Sequence, residues 1–199
     1  MIYNMKIRDA FILQPEELTD VSFAPWGNSA LPRTLFQGCF VKNRGFLFDL
    51  ICYESDPLAR FTKPGEPVYK DSCLELFCNF MPQKSDLYIN FEMNANGAYL
   101  MGVGAARENR KMLKCACMPK VRAAVMDDFW DVMLYIPRET VWEVYGEEID
   151  FCDGYEMKGN VYKCGDETTS PHWLTWSPIA ADKPDFHRPE QFGTFLLKK

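Results

Sequence analysis

Histidine, metal-binding cysteine motifs and positive charge are all scarce in this sequence of 199 residues. It contains two histidines and no Cys-x-x-Cys motif, so a zinc site is not expected. Its 22 lysines and arginines form no basic stripe and are outnumbered by 28 acidic residues, which gives a net charge of −6. This charge balance disfavours nucleic acid as a partner.

Long apolar stretches are also missing. No run approaches the roughly 18 apolar residues that a membrane-spanning helix needs, so no membrane partner is expected. The first ten residues lack the hydrophobic region of a secretory signal. We therefore expect a cytoplasmic protein, and an extracellular one if a leader has been removed.

The eight cysteines do not form the pattern of a disulfide framework. Cys73 and Cys78 are predicted on opposite faces of one strand. Cys115 and Cys117 share a face of another strand, which is a poor geometry for bridging each other. We expect reduced cysteines that pack as small hydrophobic residues.

Short strands dominate what the sequence does contain. Hydrophobic residues make up 47% and aromatic residues 15%, enough for a substantial core. About ten strand-like segments follow one another, with little helix and no alternation of strand and helix. The pattern predicts a single domain over residues 1–199 with an all-β fold, an antiparallel β-sandwich with one or two short helical turns near 138–145. An edge strand over 1–13 and a loop over 14–32 are predicted at the N-terminus.

The clearest pattern is a hairpin formed by residues 68–80 and 87–94. One face of each strand is apolar, and these two faces are expected to form one wall of the core. The other face carries a dense polar set: Glu75, Asn79, Tyr88, Asn90, Glu92 and Asn94. A turn centred near residues 83–85 predicts that Glu75 pairs with Asn94, which makes Glu75 and Glu92 diagonal neighbours.

The two glutamates allow three interpretations. Diagonal neighbours lie about 7–8 Å apart, within the roughly 6.5–9.5 Å between the carboxyl groups of inverting glycosidases. A glycoside-acting enzyme that uses Glu75 and Glu92 is therefore one alternative. A calcium site that includes nearby amide oxygens is a second. The third is binding, because carboxylates in mid-strand accept hydrogen bonds from ligand hydroxyl groups.

Aromatic residues near this polar face favour a carbohydrate as the ligand. Tyr69 precedes Glu75 by six residues, at the mouth of the same strand. Trp173 and Trp176 are three residues apart, so one is expected to face the core and the other to face outward. Flat rings suit the apolar face of a sugar, while carboxylates and amides suit its hydroxyl groups. The basic stretch 107–111 is expected to be a solvated turn, from which an arginine could reach a sugar.

Five segments resemble the carbohydrate-binding modules of family 9 and their free-standing bacterial relatives. They are residues 67–77, 88–97, 159–164, 172–176 and 186–193. The most specific is the first, in which an aromatic residue, a charged link and a glutamate open a strand. The resemblance implies a β-sandwich that binds sugars without cleaving them, linked to carbohydrate catabolism. A module that has kept the fold and lost the sugar is the remaining alternative.

The resemblance also implies roles for individual residues, because this family holds a saccharide between two aromatic rings and bonds it with a glutamate, an asparagine and an arginine. Tyr69 takes the place of the first ring, where better-known modules have tryptophan. Glu75 and Asn160 match the glutamate and the asparagine. The expected ligand contacts are Tyr69, Asp71, Glu75, Asn90, Glu92, Asn160, Trp173, Trp176 and Arg107.

Two of these roles stay open at the level of sequence. The second ring is Tyr162, Trp173 or Trp176, and the arginine is Arg107 or Arg110. The family's structural calcium ligands have no clear counterparts here, and no cofactor is expected. The ligand would be a mono- or oligosaccharide or a glycan chain end.

Overall fold

A computed structural model describes residues 1–27 and 31–199. Residues 28–30, which belong to the loop predicted over 14–32, lie outside the described residues. The strands in the described part are β1 (Ile2–Arg8), β2 (Thr19–Asp20), β3 (Arg33–Val41), β4 (Gly45–Tyr53), β5 (Ser72–Asn79), β6 (Tyr88–Asn94), β7 (Tyr99–Gly104), β8 (Lys111–Met112), β9 (Lys120–Val125), β10 (Trp130–Pro137), β11 (Glu156–Gly165), β12 (Trp173–Thr175) and β13 (Gly193–Lys198).

The strands form one curled sheet with the order β8-β7-β6-β5-β11-β13-β1-β3-β4-β10-β9. β12 pairs with β11 and β2 with β3 at the sides of this path. The curl folds the two ends of the sheet over each other, which gives a nearly all-β, sandwich-like fold as predicted.

The N-terminal strand differs from its prediction. β1 is not at an edge but lies between β13 and β3, and it runs parallel to both. The sheet is therefore mixed rather than wholly antiparallel. An alternating sequence shows that a strand has one buried face, but it does not identify the strand's partners or their direction.

The main core lies between the two halves of the curled sheet. Leu76 and Phe91 enter it from β5 and β6, while Phe48 and Trp130 enter from β4 and β10. These side chains are fully buried. The predicted apolar wall of the hairpin is thus confirmed.

The opposite face of the hairpin is buried as well, under a second and smaller cluster. Phe77, Tyr88 and Tyr162 stand on this outer face, and Ile179 and Phe186 from the loop before β13 cover them. β5 and β6 are consequently buried along their whole length. At one end of the polar row a pocket beside the loop reaches Glu75 and Glu92, and the candidate site lies there.

The predicted helical turns are confirmed as α1 (Arg138–Tyr145). Pro137 precedes the helix, and Gly146 ends it in the left-handed conformation, with a φ of 74° that favours glycine. Tyr145 fixes the helix to the hairpin, since its hydroxyl accepts from the Phe80 amide and donates to the Leu87 carbonyl. No helix within the described ranges is long or apolar enough to cross a bilayer.

All eight cysteines lie within the described residues and are free thiols, as predicted. Five of them are buried: Cys39, Cys52, Cys73, Cys78 and Cys164.

Candidate functional site

A pocket of about 280 Å³ opens over the outer face of β5, β6 and β11. Glu75, Glu92 and Cys164 form its floor, and Tyr69 and Trp173 contribute aromatic walls. The remaining boundary comes from the 3-10 turn at Arg107–Asn109 and from residues 184–187 of the covering loop. The fold thus brings together side chains from distant parts of the chain.

The floor is built on a register that differs from the predicted one. Glu75 on β5 pairs directly with Glu92 on β6, rather than diagonally. The turn centre is shifted by one residue, and Asn79 holds the turn by donating its amide to the Ser85 carbonyl at 2.6 Å. Directly opposed side chains have Cβ atoms about 4.5–5.5 Å apart. The diagonal spacing that suggested an inverting glycosidase was therefore wrong.

Glu75 is the most deeply placed acid of the floor, with 3% of its surface exposed. The thiol of Cys164 donates to its Oε1 at 3.0 Å. Burial raises the pKa of Glu75 well above 4.5, and the nearby Cys164 and Glu92 raise it further. These surroundings favour the neutral form of Glu75, and a neutral carboxyl group can donate as well as accept a hydrogen bond.

Glu92 is held by two neighbours. The amide of Asn90 donates to its Oε1 at 2.9 Å, and the Arg110 guanidinium lies 3.5 Å from the same oxygen. Burial raises the pKa of Glu92 to about 7, because the opposing effect of Arg110 does not fully compensate for desolvation. Glu75 and Glu92 are close enough to titrate as a coupled pair.

Trp173 is the outward-facing member of the three candidates for the second ring. Its indole nitrogen donates to Asp166 Oδ1 at 2.7 Å, which fixes the ring at the pocket wall. Trp176 is 1% exposed and stacks on Phe195 in the main core. Tyr162 is fully buried and stacks on Phe186 at 4.2 Å between ring centres.

Tyr69 presents the other aromatic surface. It lies in the 3-10 turn Val68–Lys70 that precedes β5, and 38% of its surface is exposed. A ring in this position can stack on a ligand without first losing packing in the core. Tyr69 and Trp173 are the two aromatic side chains that the pocket offers in a partly exposed state.

Both candidate arginines line the pocket, and each has an acidic partner. Arg107 donates to Asp185 Oδ1 from Nη2 at 2.7 Å and from Nε at 3.2 Å. Arg110 is directed at Glu92 instead. Because both guanidinium groups lie at the pocket, Arg107 and Arg110 are each placed to donate hydrogen bonds to a ligand.

The sequence analysis missed His187, which also lines the pocket. Its Nδ1 lies 2.8 Å from the Tyr88 hydroxyl, and its ring packs 4.7 Å from that of Phe77. Burial and the positive charges of Arg110 and Arg107 together lower the pKa of His187 to about 3, so the imidazole is neutral at physiological pH. Only the path of the covering loop over the sheet brings it here.

Asp71 and Asn160 were predicted to contact the ligand. They lie outside the pocket wall and brace its surroundings instead. Asp71 is buried, accepts from the backbone amides of Arg60 and Phe61, and forms a 2.9 Å ion pair with Arg60. Asn160 accepts from the Ser177 amide and donates to the Ser177 carbonyl. Their hydrogen bonds are used to hold the loops on either side of the pocket.

Asn90 and Trp176 also lie outside the pocket wall. Asn90 is buried beneath Glu92 and acts on the site by orienting that carboxyl group. Trp176 belongs to the core. The predicted residues that do meet at the pocket are Tyr69, Glu75, Glu92, Arg107 and Trp173.

The donor set of the floor does not fit calcium. Calcium takes about six to eight oxygen ligands, whereas Glu75 has a thiol beside it and Glu92 has a guanidinium. The calcium alternative for this glutamate pair is therefore not supported by its surroundings.

Known structures resemble this fold over nearly its whole length. A candidate carbohydrate-binding protein from Bacteroides uniformis ATCC 8492 has a TM-score of 0.83 and 26% identity, and the alignment covers 99% of both chains. A family 9 carbohydrate-binding module from Caldicellulosiruptor kristjanssonii, solved with glucose, has a TM-score of 0.66 and 10% identity over 97% of this chain and 95% of that one. A structure of a family 9 module from the same organism with cellotriose has a TM-score of 0.70 and 9% identity over 98% and 93%.

The sequence itself also matches a family model. The model is described as carbohydrate-binding family 9, and it covers residues 16–197. No curated protein sequence matches the chain significantly. The family match spans nearly the whole chain and all three strands that build the pocket, and on this ground the chain belongs to carbohydrate-binding family 9.

Proposed function

We propose that this protein binds a saccharide in the pocket above Glu75 and does not cleave it. The observation that carries this proposal is a pocket whose floor holds two carboxyl groups, Glu75 and Glu92, beside two partly exposed rings, Tyr69 and Trp173. A pyranose has an apolar face and a rim of hydroxyl groups. The rings suit the face, and the carboxyl groups and arginines suit the rim.

The size of the pocket limits the ligand. Its 280 Å³ is near the lower end of ligand cavities, which span roughly 300–1,000 Å³. We infer that a monosaccharide, or one terminal unit of a longer chain, occupies it. A ligand with few atoms in a partly open pocket should bind with a Kd of roughly micromolar to millimolar.

The comparisons support this proposal through the family and the fold. Two structures with the same fold contain glucose and cellotriose. These two structures share only 10% and 9% sequence identity with this chain, so they do not indicate which sugar it binds. The direct pairing of Glu75 with Glu92, and the guanidinium beside Glu92, favour hydrogen bonding to a ligand over the water-activating geometry of an inverting enzyme.

Isothermal titration calorimetry with a panel of mono- and oligosaccharides tests the proposal. Tyr69→Ala should weaken binding by at least tenfold, which corresponds to about 1.4 kcal/mol. Tyr53→Ala is the matched control, because Tyr53 is similarly exposed, at 43%, but lies outside this pocket. Equal affinities of Tyr69→Ala and wild type would refute the site. Turnover of aryl glycosides that is lost in both Glu75→Gln and Glu92→Gln would show that the protein is instead an enzyme.

A further inference from the structure

Three potential metal ligands meet at one end of the pocket floor. Cys73 and Glu75 are two residues apart on β5, and Cys164 on β11 pairs directly with Cys73. Residues two apart on a strand, and a residue opposite them on the neighbouring strand, project from the same face of a sheet. The two sulfur atoms and a carboxylate oxygen all lie within 4.8 Å of one another.

This spacing is close to that of a tetrahedral site. Zinc–sulfur and zinc–oxygen bonds are about 2.3 Å and 2.0–2.2 Å long, so tetrahedral donor atoms lie roughly 3.5–3.8 Å apart. Cys164 Sγ is 3.0 Å from Glu75 Oε1, and the other pairs fall inside the 4.8 Å limit. Small side-chain rotations therefore suffice to place all three donors around one ion.

The ion would have both a path of entry and an open position. Glu75 and Cys164 line the pocket, whereas Cys73 lies behind them and is fully buried. Three protein ligands with the fourth position facing a cavity are typical of zinc sites that keep an exchangeable ligand. Water from the pocket can fill that position.

The surroundings also carry positive charge near the ligands. The buried ammonium of Lys163 donates to the Cys164 carbonyl at 2.8 Å, and Arg110 lies at the other end of the floor beside Glu92. Two thiolates and a carboxylate around a divalent ion leave one net negative charge. Lys163 and Arg110 are also paired with Glu54 at 3.4 Å and with Glu92 at 3.5 Å, so they offset this charge only in part.

We propose that Cys73, Glu75 and Cys164 bind a divalent cation of the zinc class, with the fourth coordination position open to the pocket. Binding replaces the protons of both thiols and of the Glu75 carboxyl group, all of which leave to solvent. Thiolate ligands favour zinc and its spectroscopic substitute cobalt(II) over calcium or magnesium. The sequence shows no zinc motif because the third ligand comes from a strand 89 positions away from Glu75.

Cobalt(II) alone, without saccharide, is the direct probe. The titration uses a background with the three less buried thiols removed: Cys115→Ser, Cys117→Ser and Cys152→Ser. Under anaerobic conditions we expect one equivalent of cobalt(II) to bind with a thiolate-to-metal charge-transfer band, which zinc displaces. Absence of the band at millimolar cobalt(II) would overturn the proposal.

Single variants in this background assign the ligands. Cys164→Ser and Cys73→Ser should each reduce the band per bound ion by about half and weaken binding by at least tenfold. Cys78→Ser is the matched control, because Cys78 is an equally buried thiol of β5 that faces the main core. A band that persists unchanged in both Cys164→Ser and Cys73→Ser would contradict the site.

Glu75→Gln keeps the test valid if the serine variants do not fold. It preserves both thiols and the size of the side chain, so the charge-transfer band should remain while the affinity for cobalt(II) falls at least tenfold. Wild-type affinity in Glu75→Gln would exclude Glu75 as a ligand and overturn the three-ligand site. Since no sugar is present, these results are independent of whether the pocket binds a saccharide.

Discussion

The two faces of the β5–β6 hairpin are made from alternate residues of the same two strands, of eight and seven residues, yet they have different roles. The inner face is apolar and contributes side chains such as Phe91 and Leu76 to the main core. At one end of the outer face the loop covers Phe77 and Tyr88, and at the other end the pocket opens onto Glu75 and Glu92. Alternation along the strands places the residues that stabilise the core on one face and the candidate ligand contacts on the other. The position of the covering loop determines which part of the polar face the pocket reaches.

The largest effect is expected on the inner face. Phe91→Ala should lower the free energy of unfolding by about 3–5 kcal/mol, because it leaves a cavity in a closely packed core. Urea denaturation measures this loss. Phe11→Ala serves as the control, since Phe11 is 48% exposed and its truncation should change stability much less. Similar losses for both variants would contradict the assignment of the core.

Trp173 and Trp176 sharpen the same comparison within three residues. Trp176→Ala should destabilise the protein by about 3–5 kcal/mol, because its ring is buried against Phe195. Trp173→Ala should change stability by less than about 1 kcal/mol but weaken saccharide binding at least tenfold, since its ring is a pocket wall. Thermal denaturation and calorimetry separate the two effects. A large loss of stability in Trp173→Ala, with sugar affinity intact, would break the distinction.

His187 tests how the outer face responds to pH. Its folded-state pKa of about 3 lies below the unfolded value of 6.5, so protonation favours unfolding. The charged groups around it are Arg107, Arg110 and Asp185. The stability that neutral His187 contributes is complete above pH 6.5 and is lost as the pH falls from 6.5 towards 3.

His187→Gln removes this titration. Denaturation from pH 7 to pH 4 should show a shallower loss of stability in the variant than in wild type, with a difference of at most a few kcal/mol. Parallel pH profiles for the two proteins would argue against a histidine held neutral at the pocket.

Asp49 on β4 is expected to give the smallest effect. It contrasts with Glu75 because it is only partly buried and has no part in the pocket wall. Burial raises its pKa to about 6, although Gln37 donates to its Oδ2 at 3.2 Å. The stabilising protonated form is complete below pH 3.8 and is lost as the pH rises through about 6. Oδ1 of Asp49 and Oε1 of Gln37 are both buried acceptors with no hydrogen-bond donor in the described part of the chain.

Asp49→Asn should therefore stabilise the protein at pH 8 by roughly 1 kcal/mol, because the amide needs no charge and can pair with both groups of Gln37. The gain should disappear at pH 4, where Asp49 is protonated. Thermal melts at the two pH values, with the exposed Asp20→Asn as control, measure it. A gain of equal size at both pH values would point to a cause other than this titration.

Local patterns allowed much of the fold to be predicted. The two faces of the hairpin and the helical turn at α1 follow from periodicity over neighbouring residues, so sequence was sufficient. The parallel position of β1 between β13 and β3, and the direct pairing of Glu75 with Glu92, depend on distant partners and on the detail of one turn. A shift of one residue at the turn changes the pairing of every residue in the hairpin.

The candidate site was likewise predicted where its residues are close in sequence and missed where distant elements supply them. Tyr69 and Glu75 were found because they lie close together in a strand-opening motif. Asn160 looked equivalent in sequence, but its amide is bonded to the Ser177 backbone. His187, Asp166 and the pairing of Cys73 with Cys164 have no local signal, because a loop and a neighbouring strand bring them to the pocket.

A crystal structure with a saccharide that binds in the calorimetric panel tests the central claim most directly. We predict one pyranose ring between Tyr69 and Trp173, with a hydroxyl oxygen about 2.5–3.0 Å from the Glu75 carboxyl group. A saccharide bound elsewhere on the protein, with this pocket containing only water at saturating ligand concentration, would contradict the account.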